Sequence, residues 1–291
     1  MTPEERKELE KFATQIRIAT VECIKSRGFG HVGGSLSIAD TLAVLYKKIM
    51  KYDAKNPDWA DRDKLVCSKG HAGPAIYATL ALCGFIPYEQ LYTLNQPATK
   101  LPSHCDKTLP GIDCTTGSLG QGTSQAIGMA LGDKLQGRDS RTFLITGDGE
   151  LNEGQCWEAA MFTAAKKVNN LVWIIDWNKK QLDGTTAAIL EPFDFVEKFK
   201  AFGFDAVMVK GDDYEGLYNA LSKKAEDKPV AVILDSVKGR GVKEVEETAR
   251  SRQKKLSKSL VQEDVSTCLE KMRKKIIWKR IYRMKRRLPE I

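Results

Sequence analysis

Short apolar runs alternate along this chain with longer segments whose apolar residues recur at helical spacing. Continuous apolar runs of this length are typical of strands that are covered on both faces. Five such strands are predicted, near residues 65, 143, 171, 206 and 231. Helices are predicted at residues 4–26, 38–50, 74–82, 121–135, 155–167, 193–202 and 214–226. This alternation predicts an α/β fold, with a mostly parallel sheet and helices on both of its faces.

The distribution of charge divides the chain into a body and a tail. No internal repeat or low-complexity linker occurs before about residue 240, so we expect one domain over residues 1–249 and a tail over residues 250–291. The tail holds 15 Lys and Arg against 4 Asp and Glu, a net charge of +11, whereas residues 1–249 hold 31 against 34, a net charge of −3. A slightly acidic body disfavours a nucleic-acid-binding fold.

The tail itself has apolar residues at helical spacing, at Ile277, Ile281 and Met284, which is typical of a basic amphipathic helix. Charged terminal segments are more often solvated or docked on a partner subunit than bound to other surfaces. We expect that role for the tail, and contact with acidic lipid or RNA is the alternative.

Composition favours a cytoplasmic protein with reduced thiols. The apolar runs are too short to span a bilayer, and residues 1–7 lack the apolar segment of a signal peptide. No C-x-x-C pair occurs, so structural thiols are expected rather than disulfides or zinc ligands. The seven cysteines are Cys23, Cys67, Cys83, Cys105, Cys114, Cys156 and Cys268.

Two polar clusters follow consecutive predicted strands. Asp148 lies between Gly147 and Gly149 after the strand near 143, and Asn178 follows the strand near 171. Parallel sheets bind ligands at the carboxyl ends of their strands. Carboxylate and amide oxygens suit Mg²⁺, and the flanking glycines let a diphosphate approach the backbone. The spacing leaves room for a helical crossover, so the pair predicts a magnesium–diphosphate site.

All three histidines of the chain, His31, His71 and His104, lie in predicted loops. A lone histidine is most often a hydrogen-bonded structural residue. Three in loops favour contact with a ligand, because an imidazole can donate to phosphate or hydroxyl oxygens or move a proton. The nearby Ser37 is predicted to cap the helix at residues 38–50.

A glycine-rich loop at residues 115–122 precedes the predicted helix at 121–135. The free N–H groups at a helix start can cradle a phosphate. Glycines that only permit close helix packing would give the same pattern, so this loop alone does not decide between the two interpretations.

Together these motifs resemble transketolase. Gly-Asp-Gly followed about thirty residues later by Asn is similar to the thiamine diphosphate motif, and the resemblance extends over residues 10–242. Further matching segments occur in the same order at Gly30–Ser35, Asp61–Asp63, Ser68–His71, Leu101–His104, Thr115–Gly122 and Lys238–Gly241. The resemblance covers the N-terminal, thiamine diphosphate-binding half only, as in transketolases whose halves are separate chains.

The resemblance implies a ligand set for Mg²⁺, which Ca²⁺ or Mn²⁺ could replace. Asp148, the side chain of Asn178 and the main-chain carbonyl of Lys180 would bind the metal together with the diphosphate. His71 and Gly149 would hold the diphosphate itself.

The remaining roles concern thiamine, the partner and the sugar. Gly117, Ser118 and Leu119 would line the thiamine channel, and Glu153 matches a carboxylate that contacts the partner domain. His31 and His104 would bind the sugar hydroxyls or move protons, so the expected catalytic residues are His31, His71 and His104.

The implied reaction is the transfer of a two-carbon ketol unit between sugar phosphates. The glutamate that activates the aminopyrimidine in this family belongs to the other half, so the chain would be inactive without a separate C-terminal subunit. An α2β2 assembly is expected, with no nucleic-acid partner.

Two features depart from the family pattern. Relatives carry a histidine after the 238–241 segment, where this chain has Arg252 and Gln253, and Lys180 replaces a usually apolar residue. Arginine does not relay protons near neutral pH. The alternatives are therefore a noncatalytic transketolase-like assembly subunit, or half of another thiamine diphosphate enzyme such as one similar to deoxyxylulose-phosphate synthase.

Overall fold

The structure, a computed structural model, describes residues 1–247 and the backbone of residues 254 and 255. Seven strands lie within these residues. They are β1 Phe29–Gly30, β2 Lys64–Cys67, β3 Thr142–Gly147, β4 Leu171–Trp177, β5 Asp205–Lys210, β6 Val230–Asp235 and β7 Lys254–Lys255.

Five of these strands form one sheet in the order β2-β3-β4-β6-β5, and every pairing in it is parallel. The register aligns Gly147 with Asp176, and Trp177 with Asp235. The carboxyl ends of β3, β4 and β6 therefore meet at one edge of the sheet. The predicted α/β class and the five predicted strands are confirmed.

Ten α-helices connect or flank the strands within the described residues. They are α1 Pro3–Arg27, α2 Val32–Leu36, α3 Ala39–Val44, α4 Gly73–Cys83, α5 Gln121–Leu135, α6 Gly154–Ala165, α7 Thr186–Ile189, α8 Phe195–Ala201, α9 Tyr214–Ser222 and α10 Lys243–Glu246. Short 3₁₀ helices lie at Gly70–Ala72, Tyr88–Thr93 and Glu150–Asn152, and a π turn lies at Leu45–Ile49.

The first helix shows how local sequence sets these bounds. The Thr2 hydroxyl accepts from the Glu5 N–H at 3.2 Å, and the Thr2 N–H donates to the Glu5 carboxylate at 2.9 Å. This reciprocal cap satisfies two backbone donors at the helix start. Gly28 ends the helix with a φ of 85°, a left-handed conformation that glycine adopts at little cost.

The central strands are buried on both faces. Leu144 of β3 and Trp173 of β4 belong to a core cluster with residues of α5, α6 and α8. Successive side chains of a strand point to opposite faces, and Phe143 and Ile145 on the other face are also fully buried. Such double burial explains why these strands read as continuous apolar runs rather than as alternating patterns.

One local prediction near residue 38 was wrong. The predicted helix at 38–50 is present as α3, which continues without a break as the π turn to Ile49. Ser37 makes no cap, because Ile38 occupies the N-cap position. The Ser37 hydroxyl donates to the Gly34 carbonyl at 3.1 Å and to a carboxylate oxygen of Asp176 at 2.7 Å, and it accepts from Lys69 Nζ at 3.3 Å. The hydroxyl is therefore engaged by the buried Lys69–Asp176 pair rather than by the N–H groups of the helix.

The predictions for residues 250–291, including the basic helix and the place of Arg252 and Gln253, lie outside the described residues. The six cysteines that the structure describes are free thiols, as expected. No helix among the described residues is long and apolar enough to cross a membrane.

Candidate functional site

The carboxyl ends of β3 and β4 bring Asp148 and Asn178 together. Gly147 and Asp176 are register partners, and the Asp148 N–H donates to the Asp176 carbonyl at 3.2 Å. The N–H of Lys179 donates to Asp148 Oδ2 at 2.6 Å. The two polar clusters of the sequence therefore form one site at the expected edge of the sheet.

The Asp148 carboxylate is almost fully buried in this site, with 3% of the residue exposed. Its Oδ1 accepts from the Gly149 N–H at 2.8 Å. Burial and the nearby Asp176 carboxylate raise the pKa of Asp148 to about 7, since both disfavour its charged form. A bound cation would remove this penalty, so the environment of Asp148 suits a metal ligand.

Asn178 is held in one orientation by its neighbours. Its Nδ2 donates to Asp176 Oδ2 at 2.9 Å, and its Oδ1 accepts from the Lys180 N–H at 3.2 Å. The second lone pair of the amide oxygen can still bind a cation. The amide is thus fixed with its oxygen on the side of the loop that carries Lys180.

A fully buried ion pair between Lys69 and Asp176 supports this loop. Lys69 Nζ donates to Asp176 Oδ2 at 2.5 Å and to the Gly34 carbonyl at 2.7 Å. Asp176 also accepts from Ser37 at 2.7 Å and from Ser236. Burial opposes ionisation of Asp176, but the Lys69 ammonium and these hydrogen bonds hold its pKa below the ordinary value. The charged pair is therefore satisfied on all sides.

The three histidines converge although their loops are far apart in sequence. The ring centroids of His31 and His71 are 5.4 Å apart, and those of His31 and His104 are 5.9 Å apart. Burial lowers the pKa of each ring, and the pKa of His71 lies well below the ordinary value. All three imidazoles are therefore neutral near pH 7, a state in which each ring has one donor and one acceptor.

The glycine-rich loop is anchored from inside by Glu150. This buried carboxylate accepts from Ser68 Oγ, from the Gly120 N–H at 2.8 Å and from the Gly147 N–H at 3.1 Å. One side chain thereby joins the ends of β2 and β3 to the start of α5. Burial raises the pKa of Glu150 against the effect of these donors.

Lys238, just after β6, completes the charged part of the site. Its Nζ donates to the Lys180 carbonyl at 2.7 Å. Burial lowers the pKa of Lys238 to about 8, although the Asp148 carboxylate acts in the opposite direction. An ammonium therefore already lies against one of the oxygens that the sequence assigned to a metal.

A cavity of about 290 Å³ unites these groups. Its lining residues are His31, Gly34, Lys69, His71, His104, Gly117, Leu119, Gly147, Asp148, Gly149, Glu150, Asn178, Lys180, Gln181, Leu182 and Lys238. Of the predicted site residues within the described chain, Ser118 and Glu153 are absent from this lining, and both are exposed.

The wall of this cavity fits a diphosphate and an oxygen-liganded metal. A Cβ added at Gly149 would lie 2.8 Å from Gln181 Cγ, so the glycine lets the Gln181 side chain pack against this backbone. Among the described residues, no three His, Cys, Asp or Glu side chains form a metal-binding group. One carboxylate, one amide oxygen and a carbonyl instead suit Mg²⁺, which commonly takes its other oxygens from phosphates and water.

Sequence reasoning missed Lys69, Glu150, Asp176, Gln181 and Lys238 as members of the site. Lys69 and Lys238 lie in segments that match the family, and a lysine next to a glycine was the feature that could have indicated their role. Asp176 and Glu150 were indicated only by their position at a strand end, where an acidic residue is equally typical of a solvated loop.

The fold and site define a class of α/β protein whose ligand cavity lies at the carboxyl ends of the strands of a parallel sheet. The sequence matches the family described as transketolase, thiamine diphosphate binding domain, over residues 9–278. The chain belongs to this family.

Two relatives are single subunits of about the same length as this chain. The 6-deoxy-6-sulfo-D-fructose transketolase subunit SqwG of Clostridium sp. (strain MSTE9) is 46% identical, and the match covers 88% of this chain and 94% of that one. One of the subunits of apulose-4-phosphate transketolase from Phocaeicola vulgatus is 36% identical, with 83% and 87% covered.

Longer relatives match this chain over less than half of their own length. Human transketolase is 34% identical over 92% of this chain but only 43% of its own length. The crystal structure of transketolase from Campylobacter jejuni has a TM-score of 0.83 and 30% identity, and the match covers 91% of this chain and 43% of that one. Transketolase from Leishmania mexicana gives a TM-score of 0.78 at 27% identity, over 91% and 45%.

Proposed function

We propose that this chain is the N-terminal subunit of a two-subunit transketolase, which transfers two-carbon ketol units between sugars with an anionic end group. The observation that carries the proposal is the meeting of Asp148 and Asn178 with three neutral histidines in one cavity. The first pair suits a metal-diphosphate group, and the histidines suit a hydroxylated substrate that gains and loses protons.

Asp148, the Asn178 amide oxygen and the Lys180 carbonyl would hold Mg²⁺. The buried state of Asp148 and the fixed amide of Asn178 support these roles. His71 and the backbone of Gly149 would hold the diphosphate, with Asn178 shared between metal and cofactor. When bound, thiamine diphosphate supplies the carbanion stabilisation that ketol transfer requires.

The thiamine part of the cofactor would lie along Gly117, Ser118 and Leu119. Gly117 and Leu119 line the cavity, whereas Ser118 lies at its exposed rim. A Cβ at Gly117 would lie 3.2 Å from His104 Cγ, so this loop packs directly against the histidine cluster.

His31 and His104 would orient the sugar and move its protons. A neutral imidazole can accept a hydroxyl proton on one nitrogen while the other nitrogen donates a hydrogen bond. All three rings are partly exposed and line the cavity, and burial lowers the pKa of His71 well below its ordinary value. We assign the proton transfers to His31 and His104, and the binding of the diphosphate to His71.

A separate C-terminal subunit would complete the site, in an α2β2 assembly. Two relatives that match almost over their full length are named as subunits, which supports a partner for this chain. Leu119 is exposed at the cavity and Glu153 is exposed at the start of α6, so both are available to meet that partner.

The relatives also suggest the first substrates to try. SqwG is named for 6-deoxy-6-sulfo-D-fructose, and the relative from Phocaeicola vulgatus is named for apulose 4-phosphate. Both names describe ketoses with an anionic group at one end. We propose such a ketose as the donor, with 6-deoxy-6-sulfo-D-fructose tested before apulose 4-phosphate and xylulose 5-phosphate.

Reconstitution tests the proposal. The chain is co-expressed with a candidate C-terminal transketolase subunit from the same organism, and ketol transfer from each of the three ketoses to an aldose acceptor is measured with Mg²⁺ and thiamine diphosphate. The expected result is transfer from at least one ketose by the complex and none by the chain alone. A complex that binds the cofactor but transfers from no ketose would support the noncatalytic alternative.

A further inference from the structure

The glycine-rich loop at residues 115–122 is held near both of its ends by buried partners. Near its start, the Thr116 hydroxyl donates to the Cys67 carbonyl at 2.8 Å. Near its end, the Gly120 N–H donates to the Glu150 carboxylate at 2.8 Å. Between these two anchors the loop lines the cavity through Gly117. The position of this cavity wall therefore depends on Glu150, a residue that is 2% exposed.

The same carboxylate also holds the strand end that precedes Asp148. Glu150 Oε2 accepts from the Gly147 N–H at 3.1 Å, whereas Oε1 accepts from the Gly120 N–H and from Ser68 Oγ. Both oxygens are engaged within the chain, so Glu150 acts through the segments that it joins. It links the glycine-rich loop to the residue next to the proposed metal ligand.

Asp148 itself does not depend on this link. Its N–H donates to the Asp176 carbonyl at 3.2 Å. Its carboxylate accepts from the Gly149 N–H at 2.8 Å and from the Lys179 N–H at 2.6 Å. None of these contacts involves Glu150. Loss of the link should therefore shift the glycine-rich loop relative to Asp148 while the surroundings of Asp148 stay in place.

We propose that Glu150 is a positioning residue that sets the separation between Asp148 and the glycine-rich loop, so that the cavity binds thiamine diphosphate more tightly than free diphosphate. This inference rests on the proposed function, because it uses the proposed place of thiamine along Gly117 and Leu119. A ligand that spans both parts of the cavity needs them at one separation, whereas free diphosphate needs only the part around Asp148. Fixing the separation in advance raises affinity without a new contact.

The geometry requires a carboxylate at position 150. A carboxylate accepts hydrogen bonds at both of its oxygens, whereas one end of a glutamine amide is a donor. In Glu150→Gln, the N–H of either Gly120 or Gly147 therefore loses its acceptor. A buried donor without a partner is costly, so the link between the two segments should open. The substitution keeps the size of the side chain, and the surrounding packing is preserved.

The test compares two ligands in the purified two-subunit complex with saturating Mg²⁺. Isothermal titration calorimetry measures the affinities for thiamine diphosphate and for inorganic diphosphate. In Glu150→Gln, thiamine diphosphate should bind roughly tenfold more weakly, the size of one buried hydrogen bond, and the affinity for inorganic diphosphate should stay within about twofold of wild type. A general loss of stability would lower both affinities together, so the ratio of the two affinities reports positioning.

Glu197→Gln is the matched control, because Glu197 is an exposed carboxylate of α8 and the chemical change is the same. Both of its affinities should equal those of wild type. Glu150→Asp has a side chain too short to reach the Gly120 and Gly147 N–H groups together. It should shift the ratio in the same direction, and it replaces the glutamine variant if that variant does not fold.

Amide hydrogen exchange of the full chain gives a second measurement that needs no ligand. The peptide that covers the glycine-rich loop should exchange about tenfold faster in Glu150→Gln than in wild type or Glu197→Gln. The proposal is overturned if both affinities fall by the same factor, if neither falls, or if the exchange of the loop is unchanged. It is also overturned if wild type binds the two ligands equally. A wild-type complex that binds no thiamine diphosphate would instead reject the proposed function itself.

Discussion

The two sides of the cavity differ in how completely this chain builds them. On the metal side, Asp148, Asp176 and Asn178 are buried and joined to one another by hydrogen bonds. On the thiamine side, Ser118 is exposed and Leu119 is 38% exposed. The proposed metal side therefore has its hydrogen bonds completed within this chain, whereas the proposed thiamine side is uncovered, which is the division expected for one half of a shared site.

Physical necessity explains the difference. Buried carboxylates and amides need partners within the same chain, or their desolvation destabilises the fold. Asp176 accordingly has donors from Lys69, Ser37 and Ser236. An exposed apolar residue such as Leu119 needs no hydrogen-bond partner within the chain, and another subunit can cover it. Variants on the two sides should therefore fail in different ways.

The largest expected effect is on the metal side. Asp148→Asn removes the charge that the metal needs while keeping the size of the side chain, so ketol transfer should fall at least about 10³-fold. Metal-dependent binding of thiamine diphosphate should be lost with it. Both are measured on the reconstituted complex, by coupled assay and by fluorescence titration.

Asp227→Asn is the control for this variant, because Asp227 is an exposed carboxylate paired with Lys167. It should retain the wild-type activity and cofactor affinity. If Asp148→Asn loses activity but keeps metal-dependent cofactor binding, Asp148 is not a metal ligand.

The buried Lys69–Asp176 pair should contribute more to the free energy of unfolding than an exposed ion pair does. Lys69→Met leaves the Asp176 carboxylate buried without its cation, which should lower the free energy of unfolding by about 3–5 kcal/mol. Urea denaturation of the chain measures this value. Lys167→Met breaks the exposed pair with Asp227 and should cost less than about 1 kcal/mol. Similar losses in both variants would show that the buried pair contributes no more than a surface pair.

The sheet was predictable because burial of a strand on both faces requires a continuous apolar run in the sequence. The runs at β3, β4 and β6 are continuous and apolar, and the meeting of Asp148 with Asn178 followed from parallel strands with a shared edge. Convergence of His31, His71 and His104 was not predictable from spacing, since it depends on how three separate loops fold over that edge.

The supporting residues were hidden for a different reason. Ser37 was predicted as a helix cap from its position before an apolar segment, yet its hydroxyl turned to Asp176, which is 139 residues away. Glu150 and Lys69 likewise act through partners that are distant in sequence. Local patterns report what a residue can do with its neighbours, whereas these contacts exist only after the sheet has formed.

A variant of His104 tests the histidine cluster, as Asp148→Asn tests the proposed metal ligand. His104→Asn should lower kcat about 10²-fold, a typical contribution of general acid–base catalysis, while the affinity for metal and thiamine diphosphate is unchanged. Steady-state kinetics and fluorescence titration of the complex separate the two quantities. An equal loss of cofactor affinity would assign His104 to the binding of the diphosphate rather than to the sugar.

The smallest expected effect concerns the charge of His71. Its folded pKa is lowered well below the ordinary value of 6.5, first because of burial and second because of the nearby Lys69 ammonium. Protons therefore bind the unfolded chain first, so stability is complete above about pH 6.5 and falls as the pH drops toward the folded pKa. Between pH 7.5 and 5.5, wild type should lose about 1 kcal/mol more than His71→Asn in urea denaturation, whereas His104→Asn should resemble wild type more closely because His104 is less buried. Equal slopes for wild type and His71→Asn would mean that the pKa of His71 is not lowered in the fold. A neutral His71 could donate a hydrogen bond to a diphosphate but would leave the balance of its charge to the proposed metal.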